Sequence, residues 1–183
     1  MKSDHKKLFL VTLSSLIKTA LVAVLVLGLG WSLVQIAVWK NKKPTVEANS
    51  DGSITLTADD ANILGAGGAK TNFYAGRRNI GWWDHTSQYL EWKVDIKESA
   101  TYRVELDYAL PANMKTDFSF TAGNEFVNFT TDATGGWDQW KSLTIGAIRL
   151  AAGENQTIKL TAEKIYQQEG VMNFAEMRLI PLQ

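Results

Sequence analysis

Tyr89-Leu90-Glu91-Trp92-Lys93-Val94-Asp95-Ile96 is a segment in which apolar and polar side chains alternate at every position. Leu90, Trp92, Val94 and Ile96 share one set of alternate positions, and charged residues occupy the positions between them. Successive side chains of a β-strand point to opposite faces, so this period of two predicts a strand with one face in a core. We expect Leu90, Trp92, Val94 and Ile96 to be buried.

The same alternation recurs through the rest of the chain after residue 52. It is clear in Tyr102–Tyr108, and Gly, Asn and Asp separate it from shorter candidates at 118–121, 126–129, 140–145, 157–161 and 174–180. No long stretch after Trp39 has strong helical periodicity, which disfavours a parallel α/β sheet. The pattern therefore predicts an all-β, antiparallel β-sandwich. Because Trp140 begins one alternating segment, we expect it in the core.

The N-terminal region differs from the rest in its long apolar run. Residues 19–39 carry no charge, and as a helix they would be about 31 Å long, which matches the hydrocarbon core of a bilayer. The run ends in large side chains and Trp39, where a signal-peptidase site would need small residues. We therefore expect a transmembrane signal-anchor helix at 19–39, after a cytoplasmic or interfacial segment 1–18. A polar linker at 40–52 would precede a β-domain at 53–183.

The formal charge is zero overall but unevenly distributed. Of 19 basic and 19 acidic residues, seven lysines and one aspartate lie in residues 1–43, which leaves 12 basic and 18 acidic residues and a net charge of −6. An acidic domain lacks the positive surface that nucleic acids require. Lysines flank the predicted helix on both sides, where they can contact membrane lipid. We place the N-terminus in the cytoplasm and the β-domain outside it, in a periplasm or at a cell surface.

The sequence offers little for catalysis. It contains no cysteine and two histidines, His5 and His85, so a zinc site or a histidine-based triad has almost no ligands available. Residues 65–68, Gly-Ala-Gly-Gly, lack the Lys-Ser/Thr that follows in a phosphate-binding loop, so we interpret them as a plain loop. No recognisable catalytic set supports a hydrolase. We expect a protein that is not an enzyme.

Tryptophan is concentrated in two turn-like segments, at 79–84 and 134–140. A sugar ring has an apolar face of C–H groups, which packs on a flat aromatic ring, and a rim of hydroxyls, which amides and carboxylates bind. Loops beside a rigid sandwich often carry such groups. Two interpretations are open for Trp82, Trp83 and Trp137: they form a sugar-binding platform, or they fill the core and close the ends of the sandwich.

A family resemblance covers residues 53–183. The domain resembles the family 6 and family 35 carbohydrate-binding modules, and it is similar to the related C-terminal sandwich domains of α-L-fucosidases. The order of motifs carries this resemblance: Ile54–Ala61, Asn79–Asp84, Tyr89–Val94, Ala100–Val104, Thr134–Trp140, Leu150–Ile158 and Met172–Phe174. It implies a galactose-binding-like β-sandwich, also called a jelly roll.

The resemblance also implies site residues. Trp82 corresponds to a binding aromatic before an aspartate, Trp137 to a second aromatic after two glycines, and Asn173 to a sugar-binding amide near the last strand. With the adjacent Trp83 and Asp84, they form the expected carbohydrate site.

A structural calcium ion is often bound by acidic residues of the first strand in this family. Asp59 matches one such position, but Thr57 stands where a second acidic residue is expected.

Two functional hypotheses follow. The first is a membrane-anchored, non-catalytic protein that binds a glycan or polysaccharide. The alternative is a structural or accessory subunit of a membrane complex, in which the sandwich binds protein and the helix packs against other membrane-protein subunits.

Overall fold

The computed structural model describes residues 43–167 and 169–182. The predicted segment 1–18 and the predicted membrane helix 19–39 lie outside these residues. In the described part of the chain, no helix is long and apolar enough to cross a membrane. All the regular structure there is β, which confirms the predicted all-β class.

Twelve strands are present in the described residues, and they form two sheets. Their bounds are β1 Val46–Glu47, β2 Ile54–Thr57, β3 Asn62–Leu64, β4 Lys70–Tyr74, β5 Arg77–Gly81, β6 Tyr89–Ile96, β7 Ala100–Ala109, β8 Thr116–Ala122, β9 Glu125–Thr131, β10 Trp140–Leu150, β11 Gly153–Ile165 and β12 Asn173–Pro181.

The two sheets have six strands each. The first has the order β1-β6-β11-β8-β9, with β3 also paired to β6; the second has the order β10-β7-β12-β5-β4, with β2 paired to β12. All the strand pairs are antiparallel except β1 with β6. The core lies between the sheets, as the period-two pattern requires.

Strand β6 has the bounds that its alternation predicts, and its apolar face is buried. Leu90, Trp92 and Val94 have no exposed surface, and Ile96 is 3% exposed. The Trp92 ring centre lies 5.5 Å from that of Phe174 on the opposite sheet, and its Nε1 donates a hydrogen bond to the Thr57 carbonyl oxygen. Trp92 therefore joins the sheets through both packing and a hydrogen bond.

The sandwich begins earlier than the predicted boundary at residue 53. Val46 and Glu47, in the predicted linker 40–52, form β1 and pair in parallel with Val94 and Asp95 of β6. Val46 is also part of the buried core. A two-residue strand is too short for alternation to be visible in sequence, which explains the difference.

The prediction that Trp140 lies in the core is wrong. It is only half-buried, and the Arg77 guanidinium carbon lies 5.5 Å from its ring centre. Its register partner is Ala109, so it shares a face with neither Leu106 nor Tyr108, which point into the core. Alternation shows that one face is buried, but at the end of an edge strand it does not show which.

Candidate functional site

A cavity of about 360 Å³ lies on the second sheet, where β5 and β12 meet the loops that follow β5, β9 and β11. Its lining includes all five residues predicted for the carbohydrate site: Trp82, Trp83, Asp84, Trp137 and Asn173. The sandwich therefore brings together residues separated by up to 91 positions in sequence. A cavity of this size is typical of small-ligand sites.

Trp82 follows the last residue of β5 and presents its ring to solvent. Its side chain is 56% exposed, and its backbone φ is 52°, in the left-handed region that a bulky residue rarely adopts. The Lys70 ammonium lies 4.2 Å from the ring centre. An exposed tryptophan in a strained backbone conformation is typical of a functional position.

Trp83 has a different environment from its neighbour. It is 1% exposed, its ring meets Phe118 edge to face at 5.8 Å, and its Nε1 donates to the His85 carbonyl oxygen. Its own carbonyl oxygen accepts a hydrogen bond from Val171 N at 2.6 Å. Trp83 is therefore packed in the core of the sandwich, although it also lines the cavity, and its binding role stays a prediction.

Asp84 is held by the glycine-rich segment 65–68. The Gly68 backbone N–H donates to Asp84 Oδ1 at 3.0 Å, and a Cβ at Gly65 would lie 1.9 Å from the Ser87 carbonyl oxygen. Only glycine can approach the chain this closely. The segment thus packs against residues 84–88 and positions the Asp84 carboxylate at the cavity, a role compatible with the plain loop that the sequence indicates.

The loop that carries Trp137 is fixed to the end of β7. Thr134 N donates to the Leu110 carbonyl oxygen, and Leu110 N donates to Thr134 Oγ1, both at 2.8 Å. Thr134 is 8% exposed, so these bonds are shielded from water. The Trp137 ring is half-buried against the core and also lines the cavity.

Asn173 begins β12, on the floor of the cavity. Its Nδ2 donates to the Trp137 carbonyl oxygen at 2.8 Å, and its side chain is largely buried. Its Oδ1 lies 3.0 Å from the point where a Cβ on Gly81 would stand. The amide therefore fixes the Trp137 loop with its donor and directs its acceptor toward Gly81.

Six further residues line the cavity: Asn72, Tyr74, Gly81, Glu169, Gly170 and Met172. Tyr74 ends β4, and the turn Ala75-Gly76 has φ values of 49° and 76°, the left-handed pair that joins two strands in a tight hairpin. The glycine at position 76 is the sequence signal for this hairpin turn, and a turn there places Tyr74 at the end of a strand. No sequence signal indicates Glu169, which lies in an irregular loop.

The surroundings of Asp59 do not fit a calcium ion. Its carboxylate is paired with Arg78 Nε at 3.1 Å, and its carbonyl oxygen accepts a hydrogen bond from Lys43 Nζ at 2.6 Å. Thr57 donates its hydroxyl to Asp60 instead of offering a second carboxylate. Calcium takes six to eight oxygen ligands, whereas residues 43–167 and 169–182 hold no group of three acidic, His or Cys side chains placed for a metal.

A second cavity, lined largely by charged side chains, lies on the same sheet. Its buried carboxylate, Asp107, is paired with Arg77 at 3.2 Å and with Arg178 at 3.9 Å, and it also accepts a hydrogen bond from Ser142. This carboxylate therefore already has partners within the chain.

No protein-family model matches this sequence, and no curated protein sequence matches it. Solved structures do resemble the domain. A family 35 carbohydrate-binding module from Clostridium thermocellum is 21% identical over 71% of this chain and 98% of its own, with a TM-score of 0.58. The C-terminal family 6 module of a laminarinase from Zobellia galactanivorans is 17% identical over 70% of this chain and 98% of its own, with a TM-score of 0.57.

A third similar structure is a module of a Cellvibrio mixtus lichenase in complex with cellotriose. It is 24% identical over 70% of this chain and 97% of its own, with a TM-score of 0.52. These matches span nearly the whole length of each module. The described domain therefore has the β-sandwich fold of the family 6 and family 35 carbohydrate-binding modules.

Proposed function

We propose that the chain is a membrane-anchored, non-catalytic protein that binds a glycan or polysaccharide in the cavity between Trp82 and Trp137. One observation carries this proposal: Trp82 is held in a left-handed backbone conformation with its ring 56% exposed at the cavity. A tryptophan ring placed in water without packing partners loses the benefit of burial. Stacking on a sugar ring would restore that benefit.

The chemistry of the cavity supports the same proposal. Two tryptophan rings supply apolar surface, while Asn173 and Asp84 supply hydrogen-bonding groups. Saccharides present these two kinds of surface together. One similar structure, the Cellvibrio mixtus module, binds cellotriose.

A role as a subunit of a membrane complex has less support from the surface of the domain. Phe73 and Phe126 are the most exposed apolar side chains among the described residues, at 66% and 64%. They lie on β4 and β9, which belong to different sheets. Single exposed apolar residues are ordinary on protein surfaces, whereas a protein interface needs a larger patch.

The test is a glycan array probed with the wild-type chain and with Trp82→Ala and Trp137→Ala. Truncating an aromatic anchor at the centre of a binding site commonly costs about 2 kcal/mol or more, roughly a thirtyfold loss of affinity. We expect at least that loss for the oligosaccharide that the array identifies, measured by calorimetry. Phe126→Ala is the matched control, since it removes an exposed aromatic from the other sheet.

Three outcomes would contradict the proposal. They are binding to no glycan, equal binding by the Trp82 and Trp137 variants and the wild type, and release of reducing ends from the bound oligosaccharide. Release of reducing ends would show that the protein is a hydrolase. Its candidate catalytic carboxylates would then be Asp84 and Glu169, which both line the cavity.

The anchor belongs to the same proposal and has its own test. The uncharged run 19–39 and its large C-terminal residues motivate an intact helix, with the N-terminus cytoplasmic and the β-domain outside. We expect N-terminal sequencing of membrane-extracted protein to find the original start. A mature N-terminus near Val38 or Lys40 would show a cleaved signal peptide instead.

A further inference from the structure

We infer that the cavity distinguishes sugars by charge, and that Asp84 and Glu169 make it select neutral or amine-bearing sugars against uronates of the same linkage. This inference rests on the proposed carbohydrate function and names the class of ligand. It follows from two independent features of the cavity: the sign of its charged groups and the direction of the Asn173 amide oxygen.

Every charged side chain that lines the cavity is acidic. Asp84 and Glu169 are its only ionisable carboxylates, and its described lining contains no Lys, Arg or His. Lys70 lies over the Trp82 ring, with its ammonium 4.2 Å from the ring centre, and does not itself line the cavity. Like charges brought together at a binding site oppose association, so a uronate would bind less well than the hexose.

The second feature is the amide oxygen of Asn173, which lies beside Gly81 in the lining of the cavity. A Cβ on Gly81 would lie 3.0 Å from Asn173 Oδ1 and 3.3 Å from Asn79 Oδ1. Asn79 has no exposed surface, and its Oδ1 has no hydrogen-bond partner within the described residues. Because Asn79 is fully buried and does not line the cavity, its oxygen is out of reach of a ligand, and the acceptor offered to a sugar is Asn173 Oδ1.

The donor groups of both amides are already in use. Asn79 Nδ2 donates to the Arg77 carbonyl oxygen at 3.1 Å, and Asn173 Nδ2 donates to the Trp137 carbonyl oxygen at 2.8 Å. Of the two oxygens, only that of Asn173 belongs to a residue that lines the cavity. A hydroxyl or an ammonium group can donate to it, but a carboxylate carries only acceptors. The hydrogen-bonding pattern and the charge of the cavity therefore both disfavour the carboxylate of a uronate.

The experiment compares trimers that differ only in one substituent. The probes are β-1,4-linked trimers of glucose, glucosamine and glucuronate, and α-1,4-linked trimers of galactose and galacturonate. Their affinity for the full-length chain is measured by calorimetry at about 10 mM salt, where charge effects are least screened. For each linkage that binds, we expect the neutral or amine form to bind at least about tenfold more tightly than the uronate.

The double variant Asp84→Asn/Glu169→Gln tests the cause of that difference. Removing both charges is expected to reduce the neutral-to-uronate ratio to about threefold or less, while the matched control Glu163→Gln, an exposed carboxylate on β11, keeps the wild-type ratio. Uronate binding equal to or tighter than hexose binding would overturn the inference but leave the carbohydrate function intact. An unchanged ratio in the double variant would overturn the assignment to Asp84 and Glu169. Failure of every trimer to bind would overturn the inference, whereas the carbohydrate function is decided by the glycan array.

Discussion

Asn173 Nδ2 donates a hydrogen bond of 2.8 Å to the backbone carbonyl oxygen of Trp137, and this bond joins the first residue of β12 to the loop that follows β9. Both residues line the same cavity, and Asn173 is only 8% exposed. The resemblance to carbohydrate-binding modules implies that Asn173 contacts sugar directly. Its position indicates a second role, because it also holds the aromatic residue opposite.

Asn173→Ala is therefore expected to destabilise the domain as well as weaken binding. The substitution leaves the Trp137 carbonyl oxygen without its partner, and losing a buried hydrogen bond costs about 1–3 kcal/mol. Urea denaturation would measure the change in the free energy of unfolding. Asn128→Ala, at an exposed position of β9, is the control and should change it by less than about 0.5 kcal/mol. Equal stability of Asn173→Ala and the control would show that the bond contributes nothing.

Trp92→Ala is expected to destabilise the domain most severely among these variants. It would leave a cavity where the fully buried ring now lies between the sheets, and we expect the free energy of unfolding to fall by about 3–5 kcal/mol. It would also leave the Thr57 carbonyl oxygen without the donor that it has now. Chemical denaturation followed by circular dichroism provides the measurement, and a wild-type midpoint would contradict the central role of this strand.

Trp82→Gly is expected to be more stable than Trp82→Ala, although both variants lose the ring. With φ at 52°, any residue with a Cβ is strained, at a cost of about 1–2 kcal/mol, while glycine adopts this conformation freely. The difference in thermal melting midpoint between the two variants measures that strain. If alanine is the more stable, the left-handed conformation at residue 82 is not a property of the protein in solution.

Calcium is expected to have no effect on the thermal stability of the domain. Arg78 already neutralises the Asp59 carboxylate, and Lys43 occupies its carbonyl oxygen. A ligand that bound the native state would raise the melting midpoint with concentration. Differential scanning fluorimetry with 5 mM calcium, about five to fifty times the dissociation constants of roughly 10⁻⁴–10⁻³ M of extracellular calcium modules, and with a chelator should give midpoints within about 1 °C. A saturable rise that Asp59→Asn abolishes would contradict this prediction.

The fold was predictable because each long strand of a two-layer sandwich has one buried face, so apolar and polar residues alternate along its sequence. In β6 every second residue must be apolar to be buried, and Leu90, Trp92, Val94 and Ile96 satisfy this requirement. The strands β1 to β5 are at most five residues long, which is too short for the alternation to stand out in the sequence. β4, for example, is exposed at four of its five residues.

The sequence by itself determined the sandwich class, the order of its motifs and the residue types at the candidate site. Only the tertiary structure decided the environment of each tryptophan. Trp82 and Trp83 are adjacent and chemically identical, yet one is exposed at the cavity and the other is buried against Phe118. The physical reason is that the exposure of each ring depends on the backbone conformation after β5, where Trp82 has a φ of 52°, and on the long-range contact of Trp83 with Phe118, and neither follows from residue type.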